Sequence, residues 1–238
     1  MIDTHCHLLP QLDDGPSSAR EALELAQALV DAGVRVVVCT PHYSRRYQTD
    51  HDLACGLLES MNGTLARAEV PLRAALAAEV SPARAVEAPA GELTRRRLGD
   101  RYLLVELEPD TPVGLVGIVR ERLEKIGLTP VFAHPERCRA VRSQPHVLDS
   151  ARESGALVQV VARSLTGGWG KATVSAAWRM LEAGRVDLLA SDAHGARHAG
   201  DRLAGVLDLV SGRLGAGALV RLTEENPAKL LDRAPKPT

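Results

Sequence analysis

Short apolar runs alternate with segments of helical spacing along this chain. Residues 1–4 read as a short strand. A helix follows, opened by Ser18 with Glu21 three positions on, the form of a capping box. Ala22, Leu25, Ala26 and Leu29 fall on one of its faces, and Gly33 marks its end. Residues 34–40 form a valine-rich buried strand, 51–68 a helix, 71–78 a strand and 102–107 a strand. Thr111-Pro112 begins a helix with proline in its first turn, running to residue 126. A strand at 129–133, a helix at 144–154 and a strand at 156–161 come next. A helix at 173–182 is closed by Gly184, and a strand spans 186–190. Helices fill most of the remainder, the last at 224–231. The seven strands are apolar throughout instead of alternating, which predicts a parallel sheet covered on both faces. No solenoid repeat and no flexible linker interrupts the pattern. Residues 1–233 therefore read as one domain, with 234–238 as a disordered tail. Periodicity alone allows a closed barrel or an open, doubly wound sheet.

The polar residues tip that balance. His5 and His7 follow the first strand, with Asp14 on the loop beyond. His42 follows the second, Glu79 the third, Glu106 ends the fourth and His134 follows the fifth. Asp192 and His194 follow the strand that ends at Ala190. These are the carboxyl ends of six different strands. A parallel barrel gathers such ends onto one face, whereas an open sheet strings them along an edge. The convergence favours a barrel. Imidazole with carboxylate is a donor set for zinc, manganese or iron, and nine donors exceed what one ion needs. Cys6 lies between two of them and points the other way in an extended segment.

Composition sharpens this reading. The 238 residues include eight histidines but only six aromatics, so histidine is not kept here for ring bulk. With 45% apolar and 25% charged residues, the chain is neither disordered nor a bundle of membrane spans. A net charge of −1 gives no basic field for nucleic acid or an acidic membrane surface. The start of the chain does not read as a secretory leader. Cys6, Cys39, Cys55 and Cys138 form no C-x-x-C pair and read as reduced thiols of a cytoplasmic protein. Arginine is a further candidate. Arg45, Arg137 and Arg197 each stand three residues after a candidate ligand, and Arg46 is adjacent. Guanidinium groups beside a metal cluster can clamp a phosphate dianion. The arginines after Cys39 and Cys138 miss the spacing of a C-x5-R phosphatase loop.

The motifs Met1-Ile2-Asp3-Thr4-His5-Cys6-His7, Leu12-Asp13-Asp14-Gly15, Thr40-Pro41-His42, Val131-Phe132-Ala133-His134-Pro135-Glu136-Arg137 and Ala190-Ser191-Asp192-Ala193-His194 resemble the polymerase-and-histidinol-phosphatase (PHP) superfamily. Within it, the chain is most similar to the bacterial protein-tyrosine phosphatases of capsule and exopolysaccharide operons, the CpsB/YwqE type. The likeness runs in order along nearly the whole chain. It implies a distorted (β/α)7 TIM-like barrel holding three divalent ions, usually manganese, with iron or zinc as alternatives. It implies that His5, His7, Glu79 and Asp192 hold the first ion. Glu79 would bridge to a second, also held by Glu106 and His134, and Asp14, His42 and His194 would hold the third.

Arg137 and Arg197, with Arg202 as alternative to the latter, would bind the phosphoryl group. Val161 stands where relatives often carry asparagine. Two such ions would supply a water activated for attack on phosphorus. The implied substrate is the phosphotyrosine tail of a bacterial tyrosine kinase or its adaptor, guided by Arg45, Arg46 and Tyr47 in a flexible loop. A tyrosyl leaving group of pKa about 10 needs no strong general acid, although His198 is near enough to serve. Rival readings are a histidinol-phosphate phosphatase and a non-catalytic metal-binding module. An amidohydrolase also opens on His-x-His, but no lysine stands at a strand end here.

Overall fold

The computed structural model describes residues 1–231; the tail expected at 234–238 lies outside them. The strands are β1 (Ile2–Cys6), β2 (Val36–Cys39), β3 (His42–Tyr43), β4 (Arg73–Leu76), β5 (Glu79–Val80), β6 (Tyr102–Glu106), β7 (Thr129–Ala133), β8 (Leu157–Val161) and β9 (Leu188–Ala190). Paired strands are parallel throughout. They form two sheets, β1-β2-β4 and β3-β5-β6-β7-β8-β9.

The chain itself joins the sheets. β2 runs into β3 across Thr40-Pro41, and β4 into β5 across Ala77-Ala78, so the ladders of the second and third expected strands stop short of residues 40 and 78 and resume beyond them. Pro41 has no N–H to give a ladder. Its carbonyl still accepts from the Glu79 N–H at 3.2 Å, and the Ala77 N–H donates to the Cys39 carbonyl at 2.9 Å. The outer edges also meet: the Asp192 N–H donates to the His5 carbonyl at 2.9 Å, and the His7 N–H to the Ala193 carbonyl at 3.0 Å. The result is an α/β fold of seven parallel strand paths, the distorted barrel expected, with its last path held to the first by bonds just past the strand ends.

Side-chain alternation divides the core. In β6, Leu103 and Val105 pack outward in the large cluster that includes Leu25, Leu29, Leu123 and Leu181 of the surrounding helices. Leu104 turns inward to join Val38, Val131, Ala133 and Leu188. Cys6 belongs to the outer cluster, so its thiol faces away from its two histidine neighbours. Helix Ala19–Asp31 starts as expected. Ser18 accepts the Glu21 N–H at 3.3 Å, while the Glu21 carboxylate reaches back to the Ser17 N–H at 2.8 Å. Among the described residues, no helix is long and apolar enough to cross a membrane.

Candidate metal centre

His5 and His7 sit two residues apart on β1 and its extension, so their rings share one face. His5 Nε2 lies 3.3 Å from His7 Nε2, 3.4 Å from Glu79 Oε2 and 3.4 Å from Asp192 Oδ1. His7 Nε2 is 3.4 Å from the same Glu79 oxygen and 3.6 Å from the same Asp192 oxygen. Donors placed about 2.0–2.2 Å from one tetrahedral ion stand about 3.3–3.6 Å apart, so the separations among His5, His7 and Asp192 fit a shared cation, with the Glu79 oxygen 3.4 Å from both rings. Glu79 also faces His134 Nε2 at 2.7 Å through Oε1 and His42 Nδ1 at 3.0 Å through Oε2. His42 Nδ1 is 3.8 Å from Glu106 Oε2, and its Nε2 is 3.5 Å from Asp14 Oδ1. That Asp14 oxygen is 3.3 Å from His194 Nε2. Four groups of potential ligands result: His5 with His7 and Asp192; His5 with Glu79 and His134; His42 with Glu79 and Glu106; and His7 with Asp14, His42 and His194. All nine expected donors are brought together, and His42 offers one ring nitrogen to each of two groups.

Backbone geometry delivers two of these donors. His134 (φ 37°) and Asp192 (φ 53°) both adopt left-handed backbone. With Ala133 facing inward, an extended β7 would send residue 134 outward; the left-handed turn brings its imidazole in. The turn is fixed by the His134 N–H donating to the Gln159 carbonyl at 2.8 Å. A 3-10 turn, Pro135–Arg137, then returns Arg137 to the site. Buried Glu136 ties this turn to β8 by accepting the Val161 N–H at 3.2 Å, and burial pushes its carboxyl up to about 7.

Two supporting residues were not recognised as such in the sequence. Gln159 Oε1 accepts from His5 Nδ1 at 2.8 Å while its amide donates to Thr4 Oγ1 at 2.9 Å. Asp13 Oδ2 accepts from His7 Nδ1 at 2.7 Å and from the His42 N–H at 2.9 Å. Each contact keeps the proton on Nδ1 and turns the Nε2 lone pair toward the centre, as metal-binding histidines require. The signal was present, since Asp13 stands in the Asp-Asp-Gly motif and Gln159 is the polar residue within an apolar strand.

The electrostatics favour positive charge at the centre. Glu79 is buried, which opposes ionisation, yet the charge of His5 and hydrogen bonds from His134, His42 and His5 hold its carboxyl well below the usual range. Glu106 cannot do the same: burial, then the charge of Glu79, push it up to about 8. His5 is desolvated, which lowers its pKa, but Glu79 and Asp192 outweigh this and raise it to about 9. His7 is likewise raised well above its ordinary value against its burial, chiefly through its bond to Asp13. His134 is pushed down by burial and by Arg137. In the metal-free chain, protons on His5 and His7 stand where cations would. The donors therefore fit divalent ions in type, spacing and charge.

A prediction follows from the sign of these shifts. His5 is raised, so its protonation stabilises the metal-free fold fully below about pH 6.5 and that contribution is lost as pH rises through about 9. Asp13, Asp192 and Glu79 are lowered, so their contributions are lost only as pH falls. Loading manganese at pH 7 is expected to release protons, and affinity should strengthen from pH 6 to pH 9. Calorimetry in two buffers of different ionisation enthalpy checks this; identical heats would contradict it.

The cluster floors a cleft of about 460 Å³ whose walls carry Arg46, Tyr47, Arg137, Arg163, Trp169 and His198. Arg137 Nη1 donates to Asp192 Oδ2 at 3.2 Å, and its guanidinium lies 4.1 Å from the centre of the Trp169 ring. Tyr47 stacks on His42 at 5.4 Å and 10°. The loop that carries it is well tied, because the Ser44 N–H donates to the Tyr47 carbonyl at 2.8 Å and the Tyr47 N–H to Ser44 Oγ at 3.0 Å. Arg45 turns away from the cleft and pairs with Glu87 at 2.6 Å. Arg197 is exposed on the 3-10 turn Ala196–His198 and does not line the cleft, and Arg202 lies in an adjoining cavity. Burial lowers the pKa of His198, and Arg163, His194 and Arg202 add to that. Arg163 and Trp169 were overlooked in the sequence, although both follow a strand end.

The chain is similar to known proteins along almost its whole length. The family model for capsular polysaccharide synthesis, CpsB/CapC, matches residues 1–232. The chain is 33% identical over 196 residues to tyrosine-protein phosphatase YwqE of Bacillus subtilis, spanning 82% of this chain and 77% of the relative. It is 24% identical over 242 residues to tyrosine-protein phosphatase CpsB of Streptococcus pneumoniae, spanning 97% and 98%. A crystal structure from work on YwqE and CpsB, described as metal-dependent tyrosine phosphatases, superposes with a TM-score of 0.85 at 29% identity, covering 99% of this chain and 96% of that one. A lactonase from Listeria monocytogenes shares the fold alone, at a TM-score of 0.59 and 12% identity over 97% and 94%.

Proposed function

Since this chain belongs to the CpsB/CapC family of capsular polysaccharide synthesis, we propose that it is a metal-dependent protein-tyrosine phosphatase. Its substrate is the phosphotyrosine tail of a bacterial tyrosine kinase or its adaptor, in the cytoplasm. The observation that carries the reading is the convergence of nine histidine and carboxylate donors on the floor of one cleft walled by arginines and aromatic rings. Three divalent ions, manganese by preference, would be held by His5, His7, Glu79 and Asp192; by Glu79, Glu106 and His134; and by Asp14, His42 and His194. When bound, such ions supply an activated water and positive charge opposite the phosphoryl oxygens.

The rest is done by the chain. Gln159 and Asp13 fix the imidazoles of His5 and His7 with Nε2 inward. Arg137, anchored by Asp192 and stacked on Trp169, donates to the phosphoryl oxygens and stabilises the charge that grows on them. Tyr47 and Trp169 offer ring surfaces to the tyrosyl group at the mouth. Phenolate leaves at a pKa of about 10, which reduces the need for a proton donor.

The test is hydrolysis of a phosphotyrosine peptide with and without manganese, repeated for Asp192→Ala and His134→Ala. Loss of turnover on chelation and in both variants is expected; full activity in either variant refutes the site. A preference for histidinol phosphate over the peptide would move the reading to a small-molecule phosphatase. No turnover of any phosphomonoester by manganese-loaded protein would leave a metal-binding module. Arg46, whose guanidinium lies 5.0 Å from the Tyr47 ring, sits at the rim. Arg46→Ala should lower turnover of the peptide several-fold more than that of a small aryl phosphate. Equal losses would remove Arg46 from peptide recognition.

A further inference from the structure

We propose that a second cavity beside the cleft is a subsite for an anionic side chain close to the phosphotyrosine, held by Arg163 and Arg202. This rests on the phosphatase reading above. Arg163 and His198 line the metal cleft and also line this second cavity, of about 570 Å³, so the two spaces share a wall. Its further lining includes Arg202 and the apolar Leu203, Val206 and Leu209, and no carboxylate among the described residues. Two guanidiniums over an apolar floor select a negatively charged group carried on a short hydrocarbon stem.

Arg163 is built into position. Its guanidinium lies 4.7 Å from the centre of the Trp169 ring, which it shares with Arg137. Its stem lies across Gly168, where a Cβ would stand 2.3 Å from Arg163 Cγ. The Gly168 N–H donates to the Arg163 carbonyl at 3.2 Å. Only glycine at 168 leaves room for that stem. One indole thus carries two cations with separate duties. Arg137 is turned to the metal cluster through Asp192, and Arg163 stands at the passage into the second cavity. Because the two spaces share a wall, the residue entering this cavity is a near neighbour of the phosphotyrosine in an extended peptide. The anion is a carboxylate of aspartate or glutamate, or a second phosphate.

The experiment compares kcat/KM of the manganese-loaded full chain on four phosphotyrosine peptides. Their flanking residues are alanine, glutamate, a second phosphotyrosine and lysine. Wild type is expected to favour an anionic flank over alanine by about tenfold or more; the glutamate and phosphotyrosine arms tell which anion is preferred. Arg163→Ala and Arg202→Ala should each bring that ratio close to one. Arg163→Glu should turn the preference toward lysine, a gain that a damaged fold does not produce. Each ratio is taken within one variant, so a general loss of activity cancels. If wild type cleaves all four peptides equally, the subsite is wrong and the phosphatase reading stands. If it cleaves none of them, both fall.

Discussion

Glu79→Gln is expected to lower kcat/KM on any aryl phosphate by about a thousandfold or more. Glu79 is the most shared donor in the centre. Its Oε1 meets His134 at 2.7 Å, and its Oε2 meets His42 at 3.0 Å and both His5 and His7 at 3.4 Å. Glutamine keeps the volume and one oxygen but removes the charge and the second acceptor, so no single replacement contact restores two ion sites. Metal charge stabilisation is worth several kcal/mol, and each 1.36 kcal/mol is tenfold in rate. Stability shifts as well. Without the Glu79 charge, the main force raising His5 above its ordinary pKa disappears. The His5 contribution that persists to about pH 9 in the metal-free protein should then end nearer neutrality. Turnover at saturating manganese, read with metal content and thermal melting, checks both halves. Activity within tenfold of wild type would remove Glu79 from the centre.

Arg137→Ala should cost on the order of 10²–10³ in kcat, as loss of one fixed donor to a developing oxyanion does, with little change in metal content. Arg137 is held at both sides, by Asp192 Oδ2 at 3.2 Å and by the face of Trp169 at 4.1 Å. Lysine keeps the charge but neither the planar face nor the fork. Arg137→Lys is therefore expected to recover less than a tenth of the lost rate. Kinetics on a small aryl phosphate decide this, because such a substrate does not use the peptide-binding rim. A kcat within threefold of wild type for Arg137→Ala would contradict the role.

The nine donors were legible because each follows an apolar run that can only be a strand, and parallel strands gather such positions at one end. The continuation of two strand paths as β3 and β5, past Pro41 and Ala77-Ala78, was not, since a two-residue strand carries no apolar run of its own. Similarly, the helix expected at 144–154 divides into a 3-10 turn, Pro145–Leu148, and a helix, Asp149–Glu153. Arginine three residues after histidine was a weaker guide because it depends on the turn between them. At His134 the 3-10 turn Pro135–Arg137 starts at once and returns Arg137 to the cleft. After His194 the turn Ala196–His198 starts one residue later, and Arg197 faces solvent. After His42 the chain stays extended for a residue, and Glu87 draws Arg45 away. Gln159 and Asp13 act on histidines from other strands or loops, and such partnerships appear only once the strand neighbours are known.

The left-handed backbone at His134 and Asp192 limits what can replace them. A side chain other than glycine, asparagine or aspartate is disfavoured there, and a residue held in that region costs of the order of 1–3 kcal/mol. His134 carries a further penalty because it precedes a proline. The imidazole holds that position nonetheless, with its Nε2 2.7 Å from Glu79 Oε1. Once the imidazole is removed, glycine should fit this backbone better than alanine, and melting of metal-free His134→Gly above metal-free His134→Ala would display the difference.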